Sequence, residues 1–273
     1  MSFKNVRFRT PNTQRNPSPS VWAKCPILDI LTDGQGIFFH DDFITPPHLV
    51  TPTITSEANL GNGYKAFGES PSTLLSVNPE VGGHFELLMS DDNEACTLAT
   101  ISAPFKIIRG GGDVWFETRI KTLNITADTL GWLVGMAALE TLANDVPLVD
   151  AGTIATTTNF VGFMRPEGDG NDADAIYQAN AVATVTHQAD AARLVADTYI
   201  KLGFWYDDAK FKLHYYVNGT EVDAGAYSMP SAAGTDFPND VQLGLICSIL
   251  GANAADASVT MDWWRAAQRF PRA

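Results

Sequence analysis

The stretch that decides the fold is DVWFETRIKTL, residues 113–123. Its side chains alternate in character, because Val114 and Phe116 share one parity whereas Glu117 and Arg119 share the other. A period of two places successive side chains on opposite faces of a β-strand, so one face of this segment is apolar and the other polar. We therefore predict a half-buried strand whose apolar face packs against a second layer.

Short apolar runs of the same kind lie on both sides of this strand, with turn residues between them. Asn218-Gly219, for example, is typical of a two-residue hairpin turn. The Ala-rich segments 137–145 and 188–196 predict a turn or two of helix at most, because no apolar stripe extends them. The other candidate strands are 37–43, 84–89, 95–101, 131–139, 159–165, 182–187, 198–206, 210–217, 241–249 and 258–266. About a dozen short strands with regular turns favour an all-β fold of two packed antiparallel sheets.

The N-terminal segment, residues 1–36, differs in composition from the rest of the chain. It is rich in proline, which interrupts both helices and sheets. Aromatic residues such as Phe8 and Trp22 nevertheless make it too apolar for a solvated linker. We predict an extended N-terminal arm over 1–36 that lies on another surface, followed by the sandwich over 37–273. The alternative is a disordered terminus.

Charge is unevenly distributed along the chain, whose net charge is −13. Residues 1–28 contain five basic side chains and no acidic one, so they carry +5. The remainder contains 13 of the 18 basic residues and all 31 acidic residues, so it carries −18. An acidic surface repels nucleic acid and anionic membranes, so neither is expected as a main partner.

The three cysteines, Cys25, Cys96 and Cys247, show no CxxC spacing. Their odd number argues against a disulfide framework and a zinc site, and it agrees with synthesis in a reducing compartment such as a cytosol. The first residues lack the apolar core of a signal peptide. No run approaches the ~18 apolar residues of a membrane-spanning helix.

Several segments together resemble the concanavalin A-like, laminin-G-like jelly roll, and more narrowly the version found in tailed-phage virion proteins. The segments are FHDDF at 39–43, VWFETRIK at 114–121, VGF at 161–163, IKLGFWYD at 200–207, LHYYVNG at 213–219 and VTMDWWRAAQ at 259–268. The resemblance begins at about residue 37 and continues to the end of the sequence. It implies a two-sheet antiparallel jelly roll in which the final strand returns beside the first.

The resemblance also indicates where catalytic acids would lie in an enzyme. Glycanases of this fold place acids on one strand as E-x-D-x-x-E, so that one carboxylate attacks while another donates a proton. That spacing is absent, and none of the five histidines is paired as HxH or HExxH. We therefore predict no catalytic residue and expect that the chain is not an enzyme.

The loop GDGNDADA, residues 168–175, is the best metal candidate in the sequence. Its hard oxygen donors suit Ca²⁺, and the resemblance implies Ca²⁺ near a sugar site. The spacing is not that of an EF-hand loop and lacks the distal bidentate Glu, so the alternative is a solvated acidic turn. If Ca²⁺ binds, the expected ligands are Asp169, Asn171, Asp172 and Asp174.

Two adjacent tryptophans, Trp263 and Trp264, must face opposite sides of the last predicted strand. Trp263 shares its parity with Val259 and Met261 and is expected in the core. Trp264 shares the outward parity with Asp262, so we expect it beneath a loop, in a sugar platform or in an interface.

Three functions remain open from the sequence. The first is a structural virion protein, a capsid decoration or cement protein that is made in the host cytoplasm and lies on the virion surface. It would form a homo-oligomer and contact sister subunits and the major capsid protein through its arm, whose extended backbone can pair with a neighbour. The second is a carbohydrate-binding module of a phage tail or fibre adhesin, and the third a glycan hydrolase or lyase with displaced acids. The predicted interface residues are Phe3, Arg7, Phe8, Arg9, Arg15, Trp22 and Trp264.

Overall fold

The computed structural model describes residues 15–44, 56–68, 74–78, 83–89, 95–142, 147–149, 153–222, 227–228, 236–251 and 257–271. These residues form two large antiparallel sheets that pack against each other, and a separate pair of short strands at 148–149 and 153–154. No helix in these ranges is long and apolar enough to cross a membrane. The predicted interface residues Phe3, Arg7, Phe8 and Arg9 lie outside the described residues.

Strands dominate the described residues, and the helices are short. The elements in chain order are α1 (Pro19–Trp22), α2 (Ile27–Asp33), β1 (Gly36–Asp41), β2 (Ala58–Gly61), β3 (Tyr64–Gly68), β4 (Leu74–Asn78), β5 (His84–Met89), β6 (Ala95–Thr100), β7 (Phe105–Lys106), β8 (Val114–Thr122), β9 (Leu130–Ala137), a 3-10 turn (Leu139–Thr141), β10 (Leu148–Val149), β11 (Thr153–Ile154), β12 (Phe160–Arg165), β13 (Asp172–Gln178), β14 (Val185–Arg193), β15 (Ile200–Asp207), β16 (Lys212–Val217), β17 (Thr220–Glu221), β18 (Tyr227–Ser228), β19 (Gln242–Gly251) and β20 (Ala257–Arg269).

The first sheet, called sheet I, contains β20 near its centre. β20 pairs with β8 on one side, and with β5 and β1 on the other. From β8 the sheet continues through β15 and β16. β1 and β20 run antiparallel, with Gly36 opposite Arg269. The prediction that the final strand lies inside a sheet beside the first is therefore confirmed.

The second sheet, called sheet II, has the strand order β14-β13-β12-β9-β19-β6-β3-β2. Gly135 on β9 lies opposite Gly162 on β12 in this sheet. A Cβ atom on Gly135 would come within 2.2 Å of the Val161 carbonyl oxygen, so only glycine allows the two backbones this approach. The hairpin glycine of sheet I has a different role, because Asn218 and Gly219 have φ of 50° and 81°. Positive φ at both positions is what the predicted two-residue turn requires.

Aromatic pairs, each with one ring from either sheet, pack in the core between the two sheets. Phe163 of sheet II and Tyr215 of sheet I meet edge to face, with 5.3 Å between ring centroids. Tyr64 of sheet II stacks on Trp264 of sheet I at 5.8 Å and accepts a 3.1 Å hydrogen bond from its Nε1. These contacts join ring packing with a satisfied polar atom, which makes the sheet-to-sheet packing specific.

Trp264 therefore lies on the opposite face from the one expected. A β-bulge between Met261 and Trp263 inserts one residue into β20 relative to β8. Met261 and Trp264 then both point into the core, where Trp264 has 0% exposure, while Trp263 faces outward. The outward position predicted for Trp264 was wrong, because the parity argument assumes an unbroken strand.

Two segments of sheet II also differ from the sequence prediction. The acidic segment interpreted as a metal-binding loop becomes strand β13 from Asp172 onward. The Ala-rich segment 188–196 is not helical over its first part, because β14 extends to Arg193. Pairing with β13 prevails over the helix preference of alanine there.

The predicted arm also differs from expectation over its described part. Residues 15–33 are not extended, since they contain α1 and α2 and pack on sheet I of the same chain. Pro19 occupies the first turn of α1, where a missing N–H costs no hydrogen bond. Gly34 ends α2 in the left-handed conformation, with φ of 65°. The first strand then begins at Gly36, next to the predicted boundary.

Candidate functional site

The outer face of sheet I, opposite the core, is the most distinctive surface of the described residues. It presents the polar parity of β8, including Glu117 and Arg119, beside aromatic side chains of β15 and β20 such as Trp205 and Trp263. Residues 15–33, here called the strap, lie across this face. This face of sheet I binds the strap. The contacts that hold the strap therefore define the candidate site.

Glu117 is the central fastening point of the strap. Its carboxylate accepts hydrogen bonds from the Ser18 backbone N–H at 3.0 and 3.1 Å, and from Trp22 Nε1 at 2.7 Å. Glu117 is 1% exposed, and burial raises the pKa of its carboxyl group. The hydrogen bonds from Ser18 and Trp22 lower that pKa in part, because they favour the charged form.

Gly203 provides the space that Glu117 occupies. It lies opposite Glu117 on the neighbouring strand β15. A Cβ atom at this position would stand 3.1 Å from Glu117 Cγ and 2.7 Å from the Phe116 carbonyl oxygen. The absent side chain therefore lets the carboxylate lie flat against the sheet beneath the strap.

Apolar packing covers the rest of the contact between the strap and sheet I. Val21, Trp22 and Ile30 of the strap form one buried cluster with Trp115, Trp205, Tyr216 and Ala267 of the sheet. The Lys24 ammonium lies 4.0 Å from the centroid of the Trp205 ring, which is a cation–π geometry. Burial of an aromatic side chain such as Trp22 contributes on the order of 2–3 kcal/mol, so this cluster holds the strap as firmly as the polar contacts do.

The N-terminal end of the strap is fastened at the bulge in β20. Asp262 is 0% exposed and forms ion pairs with Arg15 at 2.9 Å and with Arg119, and its carboxylate lies 3.3 Å from His84 Nε2. The Arg119 guanidinium also lies 3.7 Å from the centroid of the Tyr199 ring. The bulge accounts for this arrangement, because the inserted Asp262 leaves the alternating series of β20 and faces Arg15, Arg119 and His84.

The outer face of sheet II has a different composition. Its four central strands, β12, β9, β19 and β6, contain no acidic residue. Leu139, Leu142, Leu148 and Ile154, from the segment between β9 and β12, form a buried cluster with apolar residues of these strands. The paired carboxylates that glycoside hydrolysis requires are therefore absent from the centre of this sheet.

The predicted calcium ligands are not gathered around one point. Arg165, which is fully buried, donates hydrogen bonds from its guanidinium to the carbonyl oxygens of Thr126, Leu130, Asp169 and Gly170. The Asp174 carboxylate accepts the Asp190 backbone N–H at 2.9 Å, and burial and the neighbouring acids Asp169, Asp190 and Asp172 raise its pKa.

Among the residues that the structure describes, no group of three or more His, Cys, Asp or Glu side chains is arranged to hold a metal ion. The carbonyl oxygens of Asp169 and Gly170 accept hydrogen bonds from the Arg165 guanidinium, so a cation of the chain itself already occupies this part of the acidic loop. Of the four predicted ligands, Asp169 contacts Arg165 through its carbonyl oxygen, and Asp174 accepts the Asp190 N–H on β14.

The strap site thus contains two of the predicted interface residues. Arg15 reaches Asp262, and Trp22, at 2% exposure, is buried against its own sandwich. Sequence reasoning did not single out Glu117 or Asp262 as functional. Glu117 shares the polar parity of β8 with Arg119 and Lys121, so the sequence does not distinguish it from an exposed acid, and only its burial, which is costly without partners, marks it.

Comparisons with known proteins identify the fold. No family model matches the chain, and no curated protein matches it in sequence. Solved structures do match: peanut lectin, at 14% identity and a TM-score of 0.52, covers 87% of this chain and 99% of its own. A GH16 endo-β-1,3(4)-glucanase matches at 11% identity and 0.53, covering 86% of this chain and 92% of its own. A protein of unknown function from Shewanella oneidensis MR-1 matches at 12% and 0.55, covering 87% and 89%.

The sandwich therefore has the concanavalin A-like jelly-roll fold that the sequence predicted. Lectins and a glucanase share this architecture with the chain, so the fold alone does not distinguish binding from catalysis. The strap site is a feature of this chain's own contacts. It consists of the buried Glu117 carboxylate, which accepts hydrogen bonds from Ser18 and Trp22, the buried Asp262 carboxylate, which pairs with Arg15 and Arg119, and an aromatic surface that the strap covers.

Proposed function

We propose that the chain is a non-enzymatic structural protein of a tailed-phage virion, a capsid decoration or cement protein on the virion surface. In this proposal it is made in the host cytoplasm and assembles as a homo-oligomer with sister subunits on the major capsid protein. Nucleic acid and membranes are not its partners. The N-terminal residues before the strap make the contact with neighbours.

The observation that carries this proposal is the fastening of the strap. Arg15 is held by the buried Asp262, and Glu117 holds Ser18 and Trp22. Residues 1–14 directly precede this anchor on an acidic sandwich. They contain three basic side chains, two phenylalanines and no acid. A basic apolar segment joined to a rigid domain suits contact with acidic neighbouring surfaces.

The chemistry of the sandwich supports a role without catalysis. General acid–base catalysis needs a carboxyl group that can exchange protons with a substrate. Glu117 and Asp262 are both buried and engaged by the chain's own donors. The central strands of sheet II offer no acid in their place.

Occupancy of particles tests the proposal. In a variant with Phe3→Ser, Arg7→Gln, Phe8→Ser and Arg9→Gln, we expect at least about a tenfold loss of copies per particle, since two aromatic contacts are removed. The matched control is Arg193→Gln with Phe270→Ser, which removes an exposed arginine and an exposed phenylalanine elsewhere. Full occupancy by the first variant would contradict the proposal.

A carbohydrate-binding module of a tail or fibre adhesin is the second candidate. It is favoured by the fold, which the chain shares with peanut lectin and with the carbohydrate recognition domain of Emp46p. A glycan array probed with and without Ca²⁺ tests it directly. Binding of a defined glycan that is lost on substitution of an exposed side chain would favour this candidate over the structural role.

A further inference from the structure

We infer that the strap-binding face of sheet I is an interface between copies of this chain, in which the strap of one copy docks on the sandwich of the next. This inference deepens the assembly role proposed above and rests on it for its setting. The residues involved are those that fasten the strap within one chain. The contacts are the same in both arrangements, and the difference is whether the strap comes from the same copy or from a neighbouring one.

The contacts of the strap permit this exchange. Trp22 binds Glu117 across 95 residues of chain, and Ser20 binds the Gly219 carbonyl oxygen across 199 residues. The hydrogen bonds within the strap span four residues or fewer, such as Ile30 N–H to the Pro26 carbonyl oxygen, so the strap keeps them wherever it docks. Since the docking surface is the same on every copy, a strap from a second copy would find the same donors, acceptors and rings there.

The connection between strap and sandwich provides the hinge. Gly34 has φ of 65°, which reverses the chain between α2 and β1. A Cβ atom on Gly34 would meet nothing within 4 Å, so there is open space beside this residue in which the backbone can change conformation. Glycine also adopts extended conformations without strain. Extension at this residue would direct the strap away from its own sandwich while leaving β1 paired with β20.

Concentration decides between the two arrangements. A strap tethered by a short connection meets its own site at an effective concentration of about millimolar, so docking within the chain dominates in dilute solution. Copies held side by side in an assembly reach comparable local concentrations. The +5 charge of residues 1–28 is attracted to a neighbouring sandwich as it is to its own, because the remainder of each copy carries −18, so charge does not oppose the exchange.

A cysteine pair reports which copy supplies the strap. A Cβ atom at Gly219 would lie 3.1 Å from Ser20 Oγ, so Ser20→Cys with Gly219→Cys can form a disulfide when the strap is docked, and the strain of a Cys at φ of 81° is the same whichever copy supplies the strap. In purified protein oxidised at rising concentration, we expect monomers with an internal bond at micromolar concentration and covalent dimers or larger species near millimolar. The Ser20→Cys single variant is the control for crosslinks through the native cysteines.

The hinge provides a second measurement without the cysteine pair. Gly34→Ala disfavours the left-handed conformation, and we expect it to raise the association constant of the dimer by about five- to thirty-fold in sedimentation equilibrium. Adding Glu117→Ala to Gly34→Ala should abolish this association, because the receiving site is lost. Internal disulfides alone at every concentration, together with a monomeric Gly34→Ala variant, would overturn the inference. Normal particle occupancy alongside that result would leave the proposed function intact.

Discussion

Trp22 Nε1 and the Glu117 carboxylate are joined by a 2.7 Å hydrogen bond that connects the strap to the strand on which the fold was predicted. The same carboxylate accepts the Ser18 N–H with both oxygens. One buried acid therefore satisfies donors at both ends of α1, whose N-cap is Ser18 and whose last residue is Trp22. These hydrogen bonds make the strap part of the folded domain. Their loss should therefore lower the free energy of unfolding.

Removal of the indole N–H should weaken the strap in a graded way. Trp22→Phe keeps most of the ring but loses a hydrogen bond to a charged group, so we expect the free energy of unfolding to fall by about 1.5–3 kcal/mol. Trp22→Ala also loses the ring and should cost about 3–5 kcal/mol. Urea denaturation measures both. Leu31→Ser, at a strap residue that is 60% exposed, is the control and should change stability by less than about 0.5 kcal/mol.

The buried Glu117 should make stability depend on pH in a defined direction. Burial raises its pKa above the ordinary 4.5. A carboxyl group with a raised pKa in the folded state binds protons more tightly there than in the unfolded state. Its contribution to stability is thus fully present below pH 4.5 and is lost as the pH rises through the folded value.

Glu117→Gln removes this titration and keeps an acceptor oxygen. We expect the wild-type free energy of unfolding to decrease more steeply between pH 4 and pH 7 than that of the variant. The difference between the two slopes isolates Glu117, since Asp113 and Asp174 also have raised pKa values and titrate in both proteins. Parallel slopes in denaturation series at matched ionic strength would show that Glu117 does not titrate as described.

Two ion pairs on β8 should differ strongly in their contribution to stability. Asp262→Asn leaves the Arg119 guanidinium buried without its counter-charge, and we expect a loss of about 3–5 kcal/mol. Asp197→Asn breaks the Lys121 pair, whose aspartate is 64% exposed, and should cost less than about 1 kcal/mol. Thermal and chemical denaturation of the two variants provides the comparison. Equal effects would contradict the buried network at the bulge.

Arg165 should act as the internal cation of the acidic loop. Arg165→Ala leaves the carbonyl oxygens of Thr126, Leu130, Asp169 and Gly170 without their donor, and we expect a loss of about 3 kcal/mol or more. Millimolar guanidinium should restore part of the melting temperature of this variant alone. The exposed Arg193→Ala variant is the control. A variant that melts like the wild type would mean that the loop needs no cation.

The sheets could be predicted from the sequence because alternation is a local property. Val114 and Phe116 define the buried face of β8 without any knowledge of its neighbours, and the Asn218-Gly219 turn specifies a hairpin by its φ angles. The bulge before Trp263 could not be predicted, since one inserted residue leaves no trace in composition. Trp264 was consequently assigned to the wrong face.

The strap could not be predicted because its helices depend on tertiary contacts. α1 and α2 contain four and seven residues, fewer than an isolated helix needs to be stable in water. Their prolines were interpreted as helix breakers, although Pro19 stands in a first turn, where it is compatible with a helix. Glu117 holds α1 in place through hydrogen bonds. This acid lies 95 residues after Trp22 in the chain, and nothing in the sequence near the strap indicates it.

The position of β20 determines the order in which the domain can form during synthesis. Among the described strands β20 comes last in the chain, yet it supplies Asp262 and Ala267 to the strap site and lies between β8 and β1. The strap is the first described segment to leave the ribosome, and it cannot complete its docking until β20 has followed. Trp22 and Ile30 therefore stay exposed for the time that more than 200 residues take to be made, about 10–40 s at common elongation rates. Throughout that interval an early segment of a nascent chain is available to any finished copy nearby.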